Sequence, residues 1–299
     1  PLYTGPGDLS YHTAPQAGIQ QILLSSFEPR AVCELIDTEQ PTGIVLVPTM
    51  LMRMLNFPRL DRYNFSSLRF ITCGGSVLPY EVSERAEQQF GAKIIQGYGL
   101  MDYGALASHG VDDPEEARWM TNGRPLPGTE ISIQNKNGQP LDVGEVGEIL
   151  ARGPHCVGGY VDEPTLTETA WKNGYFHSGD LGRIDTKGYL QVVGRLKDII
   201  IRGGQNISPA EIEGILGQHP KVTEAVAVKM PDPDLGERVC VFVVSAAKEP
   251  IDFEDMVQFM LDQGVAKFKI PERLELIDEF PLTPGGTKID KKSLEDLVR

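Results

Sequence analysis

A few stretches of this 299-residue chain set reactive side chains in positions where they could do chemistry. "YFHSGDLGRID" (Tyr175–Asp185) places Asp180 among glycines. An ionised carboxylate is acceptor-only, so it can take two hydrogen bonds from a vicinal diol such as a ribose. In a turn the same carboxylate would cap backbone N–H groups, and residue type alone favours that second use. "GYGLMDYG" (Gly97–Gly104) presents Asp102. It could hold Mg²⁺, a hard cation that prefers carboxylate oxygen and retained water, or it could cap a helix. "GRLKDIIIRGGQNISPAEIE" (Gly194–Glu213) combines cations with a Gly-Gly pair. Taken singly, a lysine at a domain junction is solvated and a Gly-Gly pair is a hairpin turn. "PLTPGGTKIDKK" (Pro281–Lys292) sets Lys288 behind a glycine pair, between a strand-like run and a charged tail. It lacks the Ser/Thr after lysine and the longer glycine-rich lead of a P-loop. A phosphate contact and a plain surface turn both remain open for it.

The elements that must position these residues fall into three zones. In the first, "TGIVLVPT", "LRFITCGG" and "AKIIQGYG" read as strands, with the helix "PYEVSERAEQQFG" between the last two. Strand, helix, strand with glycines at the strand ends predicts a parallel α/β sheet. Ligands on such sheets bind beyond the carboxyl ends of strands, where "CGGS" and "GYGLMD" are expected. From about Met120 to Gly194 the chain turns β-rich, with Asn-Gly, Gly-Glu and Lys-Gly turns, which predicts a small antiparallel barrel or sheet. From Arg195 onward a hairpin, helices and apolar strands alternate, as in a small α+β domain. Ser208, Pro209 and Glu211 mark a helix start there. The expected organisation is α/β over 1–120, β-rich over 121–194 and α+β over 195–299.

Composition narrows the function classes. The net charge of −14 is spread over the chain without a basic half, so the cationic footprint of a nucleic-acid binder is missing. The longest apolar runs, such as "VCVFVV" (Val239–Val244), are strand-sized and too short to span a membrane. Cys33, Cys73, Cys156 and Cys240 are scattered with no CxxC pair, which predicts reduced thiols in a cytoplasmic protein and no structural zinc. The five histidines, at 12, 109, 155, 177 and 219, show no ligand spacing. The chain opens at Pro1 without an initiator Met or a secretory leader, which reads as a fragment.

Taken in order, "CGGSVLP", "GYGLMD", "NGRPLPG", "GEVGEILARGPHCVGGY", "YFHSGDLGRID", "GRLKDIIIRGGQNISPAEIE" and "FPLTPGGTKIDKKSL" form a series that resembles the adenylate-forming superfamily. That superfamily includes acyl-CoA synthetases, aryl-acid–AMP ligases, peptide-synthetase adenylation domains and luciferases. The resemblance implies ATP-dependent conversion of a small carboxylic acid to an acyl-adenylate, followed by transfer to coenzyme A. A carrier protein is the alternative acceptor, and a truncated module that binds the nucleotide without catalysis is a further alternative. It also implies site roles. Gly74, Gly75 and Ser76 would line adenine and acyl group, and Tyr98 would stack on adenine. Asp102 would stand at the metal position for Mg²⁺. Asp180 would hold the ribose, and Arg195 would reach ribose or phosphate. Lys288 would bridge substrate carboxylate and α-phosphate. Lys197 would mark a hinge near 195–198, about which a mobile C-terminal domain brings Gly203 and Gly204 to the thiol tunnel. Oligomeric state is left open.

The chain departs from the family pattern at several points. Met101 and Asp102 stand where the family has Thr and Glu, so the hydroxyl is lost and the carboxylate is one methylene shorter. Thr287 separates Gly286 from Lys288, where the family reads Gly-Lys. Lys291 and Lys292 are expected on the surface of the tail. The family's Ser/Thr/Gly-rich phosphate loop has no counterpart, and "PLYTGPG" resembles a later segment. The resemblance therefore implies the C-terminal half to two-thirds of a larger enzyme, inactive or impaired alone. The tail "LDQGVAKFKIPERLELIDEFPLT" is similar to dihydroxybenzoate–AMP ligases and related synthetases. Pro48–Met54 and Gly74–Val77 would contribute to an acyl pocket for a non-polar or cyclic acid, although Leu51, Met52 and Met54 also suit a core.

Overall fold

A computed structural model describes residues 14–245, 250–283 and 289–299. Lys288, Thr287 and the "PLYTGPG" stretch lie outside the described residues. The chain divides into two compact units, Pro1–Val192 and Val193–Arg299.

In the first unit, β1 (Gly43–Leu46), β2 (Phe70–Cys73) and β3 (Lys93–Leu100) run parallel. Short β-branched runs form these strands, and the crossovers between them are helical. Helix Pro48–Leu55 starts on Pro48, and helix Tyr80–Phe90 ends on Gly91, whose φ of 64° suits a residue without Cβ. Leu51 and Met54 are fully buried among Leu46, Ile71 and Ile94, so these two serve the core rather than an acyl pocket wall.

The parallel pairing stops at Cys73 against Gln96. Beyond it, β3 continues and pairs antiparallel with β4 (Gly104–Ser108), which in turn pairs with β5 (Arg124–Pro125). The glycine-rich stretch expected beyond the strand end is thus the arm and turn of a hairpin. Small residues make this possible: a Cβ on Gly99 would stand 2.7 Å from the Gly104 carbonyl. A buried ion pair ties helix Tyr80–Phe90 to helix Glu115–Met120. Arg118 donates to both oxygens of Glu87, with Nη2 2.8 Å from Oε2, and Glu87 Oε1 also accepts the Ile94 N–H at 2.7 Å. The two side chains are 3% and 12% exposed. Removing one partner strands a desolvated charge. Glu87→Ala is therefore expected to cost about 3–5 kcal/mol of unfolding free energy, read by urea denaturation. A loss below about 1 kcal/mol would mean that the pair behaves as a surface bridge.

The β-rich zone forms a second sheet from β6 (Glu130–Gln134), β7 (Gly147–Arg152), β8 (Trp171–Lys172), β9 (Tyr175–Ile184) and β10 (Leu190–Arg195). Its order is β10-β9-β7-β6, with β8 pairing β9, and the path is an open sheet. Gly138, with φ of 75°, sits in the Asn-Gly turn that leads out of β6.

The second unit carries β11 (Ile200–Arg202), β12 (Gln205–Ile207), β13 (Val222–Asp232), β14 (Gly236–Ser245) and β15 (Arg273–Leu276) in the order β12-β11-β14-β13, with β15 parallel to β14. Both faces of this sheet are covered, which explains the unbroken apolar run of β14. Val239, Val241 and Val243 face a cluster with Ile212, Leu216, Met256 and Met260 from helices Pro209–Leu216 and Phe253–Asp262. Cys240 and Phe242 face the other, with Leu294 and Val298.

The helix expected after Ser208 does start there, at Pro209, and what differs from expectation is the partners of particular side chains. Ser208 does stand at the N-cap position, but its hydroxyl donates to the Val193 carbonyl at 2.7 Å instead of capping the helix. Glu211 likewise pairs with Lys269 at 2.7 Å. Lys291 is not a free tail cation: it holds Glu213 at 2.7 Å, and Glu213 also accepts the Ala227 N–H. That pair fastens helix Lys291–Leu297 to the sheet.

Candidate functional site

The first unit brings together three of the chemically interesting stretches. The CGGS loop begins where β2 ends, at Cys73. A Cβ on Gly74 would lie 3.1 Å from the Gly97 carbonyl, so glycine lets this loop lie against β3. Gly75 has φ of 95°, a backbone that other residues rarely adopt. Gly75 and Ser76 are exposed. Burial pushes the Cys73 thiol up to about 12, so it is not a nucleophile at neutral pH.

Tyr98 follows one residue after Gly97 and is half-buried. Its hydroxyl donates to Asp180 Oδ2 at 2.8 Å. Asp180 is only 4% exposed and lies inside β9, not at its end and not in a turn. Asp180 thus makes a contact across sequence, between two strands of different sheets. Its own N–H is taken by Ser178 Oγ at 3.0 Å. A phenol ring, a buried carboxylate and a small-residue loop now sit together.

Asp102 lies in the turn between β3 and β4, exposed, and does not start a helix. Burial raises the Tyr160 hydroxyl's pKa, and the neighbouring Asp102 carboxylate raises it further through charge and a hydrogen bond. Tyr160 was not singled out by the sequence, because nothing local connects "GGY" to the hairpin turn. Among the described residues no group of three or more His, Cys, Asp or Glu could hold a metal ion. A single exposed carboxylate still fits Mg²⁺, which keeps several waters and leans on substrate phosphates.

The remaining candidates belong to the second unit. Arg195 ends β10 and is exposed. Lys197 occupies a single 3₁₀ turn, Leu196–Asp198, and its carbonyl accepts from Lys229 Nζ at 3.1 Å. Gly203 and Gly204 form the two-residue turn of the β11–β12 hairpin, with φ of 54° and 83°. Positive φ at both positions is the requirement of a type I′ turn. Lys288 is outside the described residues, but its flanks pair: Leu282 bridges Ile289, and the Asp290 N–H donates to the Pro281 carbonyl at 2.8 Å.

A family model described as "AMP-binding enzyme" matches residues 11–161, and one described as "AMP-binding enzyme C-terminal domain" matches 211–287. The chain belongs to the AMP-binding enzyme family. It is 38% identical to the medium-chain fatty-acid–CoA ligase of Escherichia coli K12, over 100% of this chain and 53% of that protein. It is 34% identical to the 2,3-dihydroxybenzoate-AMP ligase of Bacillus subtilis, over 94% of this chain and 52% of that one. Among solved structures, the amide bond synthetase McbA of Marinactinospora thermotolerans superposes with a TM-score of 0.85 at 34% identity, covering 93% of this chain and 57% of that chain. ATP-bound MatB of Rhodopseudomonas palustris superposes at 0.90 and 28% identity, covering 99% and 58%. This AMP-binding enzyme chain spans about half the length of the curated relatives it matches. No helix among the described residues is long and apolar enough to cross a membrane. All four cysteines are free thiols.

Proposed function

We propose that the protein carrying this chain activates a carboxylic acid with ATP and then transfers the acyl group to the thiol of coenzyme A. The observation that carries the reading is the Tyr98–Asp180 pair beside the Gly74–Ser76 loop. An aromatic face for a base, a buried acceptor for a diol and a backbone open to close approach suit an adenylate. Its match to the fatty-acid–CoA ligase supports coenzyme A as acceptor.

A carboxylate is a poor electrophile because it is already anionic. In the first step its oxygen attacks the α-phosphorus of ATP, and pyrophosphate leaves. In the second the thiol sulfur attacks the acyl carbon, the S–H proton is lost, and AMP leaves. The residues' task is to bring anions together and hold them. In this proposal Lys288 lies between carboxylate and α-phosphate, Arg195 reaches ribose or phosphate, and Lys197 is a hinge residue. Gly203 and Gly204 form the turn that approaches the thiol. Asp102 would hold Mg²⁺, which when bound neutralises phosphate charge.

Loading of an aryl group onto a carrier protein is the second reading, favoured by the match to 2,3-dihydroxybenzoate-AMP ligase. The test uses the full-length product of the gene that encodes this chain, with a panel of carboxylic acids, and follows AMP release with and without coenzyme A. Thioester formation without any carrier protein is expected. Acid-dependent adenylate formation without a coenzyme A thioester would move the assignment to the second reading.

A further inference from the structure

Asp180 owes its inward position to a break in a sheet. On β7 and β9, Glu148 pairs with Leu181 and Leu150 pairs with His177. Between these pairs β7 supplies only Ile149, whereas β9 supplies Ser178, Gly179 and Asp180. The surplus forms a bulge, and bulges re-aim side chains at the cost of ladder hydrogen bonds. Gly179 takes φ of 68° within it. The N–H groups of the bulge must find other partners, because an unpaired half-buried donor is destabilising. Glu148 Oε1 accepts the Gly179 N–H at 3.2 Å, and the other oxygen faces His177 Nδ1 at 3.3 Å. Ser178 Oγ accepts the Asp180 N–H at 3.0 Å. The Glu148 side chain is 22% exposed, so its charge is largely withdrawn from water and turned onto the bulge.

We propose that Glu148 is a positioning residue for Asp180: by holding the Gly179 N–H it fixes the bulge that presents the Asp180 carboxylate to the ribose hydroxyls of the nucleotide. This rests on the reading of Asp180 as the ribose ligand. Tyr98 holds the carboxylate end of Asp180, and Glu148 holds the backbone from the opposite strand. A merely structural Glu148 would change stability and leave the choice between ribose and deoxyribose untouched. A positioning Glu148 changes that choice.

The experiment titrates the protein with AMP and with 2′-deoxy-AMP by calorimetry, with melting temperatures recorded in parallel. The intact protein is expected to prefer AMP by about tenfold, the scale of one lost hydrogen bond to a charged group. Glu148→Ala is expected to bring the preference close to one. Glu148→Met, which keeps the side-chain length, does the same if the alanine variant folds poorly. Glu148→Gln retains an acceptor for Gly179 and restores most of the preference. A folded Glu148→Met protein with the full preference for AMP would overturn the inference, and so would a Gln variant as indifferent as Ala. Asp180→Ala separates the two layers. If it abolishes the preference while the Glu148 variants keep it, only the positioning role fails. If Asp180→Ala itself keeps the preference, the ribose reading fails and the inference with it.

Discussion

Replacing Lys288 by alanine lowers acyl-adenylate formation by about a hundredfold or more, while thioester formation from supplied acyl-adenylate is largely kept. The size follows from what the lysine is proposed to do. Two anions must meet in the first step, and charge develops on the oxygens between them. Removing one fixed donor from such a site costs about 10²–10³ in rate. The ε-ammonium is a compact point charge, so Arg would misplace it and restores little. The second step has no such meeting of anions: a thiol attacks an acyl group that already carries its leaving group. The asymmetry between half-reactions is therefore the signature, and pre-formed acyl-adenylate lets each be timed alone. Equal loss in both steps would contradict the role given to Lys288. A loss confined to the second step would place the lysine with the thiol acceptor instead.

The second large effect is on nucleotide affinity. Asp180→Ala is expected to weaken AMP binding by about ten- to a hundredfold, since a hydrogen bond to a charged acceptor contributes about 1.5–3 kcal/mol. An opposing effect exists. Deleting a carboxylate also removes repulsion toward the phosphate. The hydroxyl hydrogen bonds are direct contacts, whereas the repulsion acts over a longer distance and falls with it, so the lost hydrogen bonds should win. Tyr98→Phe gives a graded control. It keeps the ring for stacking and removes only the 2.8 Å donation to Asp180 Oδ2. Its loss of affinity should be smaller than that of Asp180→Ala. Calorimetric titration with AMP on folded variants reads both. Unchanged affinity in Asp180→Ala would leave Asp180 as a buried partner of Tyr98 with no nucleotide role.

How much of this was legible in the sequence depends on how far each interaction reaches. The parallel strands β1 to β3 were readable because short apolar runs, a helical interval and terminal glycines are local signals. The Gly203–Gly204 turn was readable for the same reason: two adjacent glycines between β-rich runs specify a hairpin. Partner choice was not readable. Nothing around Gly97 announces that β3 will leave its parallel neighbour at Gln96 and turn into a hairpin. Ser208 carries the pattern of a helix cap, yet the Val193 carbonyl competes for its hydroxyl and wins. Lys291 reads as one of two tail cations until Glu213 folds against it.

Asp180 is the instructive residue. Its type and its flanking glycines argue for a turn, and a turn needs no distant partner. The glycine at 179 is used for a bulge, which needs the same positive φ, and the strand continues through to Ile184. Only the order of motifs along the chain pointed to a ribose. Glu148 and Tyr160 lie inside the family-like "GEVGEILARGPHCVGGY" stretch, yet neither has a readable role there, because each contacts a residue from another part of the fold.

The most direct measurement of the central claim is exchange of labelled pyrophosphate into ATP by the full-length protein, with and without carboxylic acids. Exchange requires reversible formation of an acyl-adenylate and no later step. The account predicts exchange that depends on the acid, favours a non-polar or cyclic one, and collapses in Lys288→Ala. Tight AMP binding with no acid-dependent exchange across the panel would contradict it and leave a nucleotide-binding protein that does not make the adenylate.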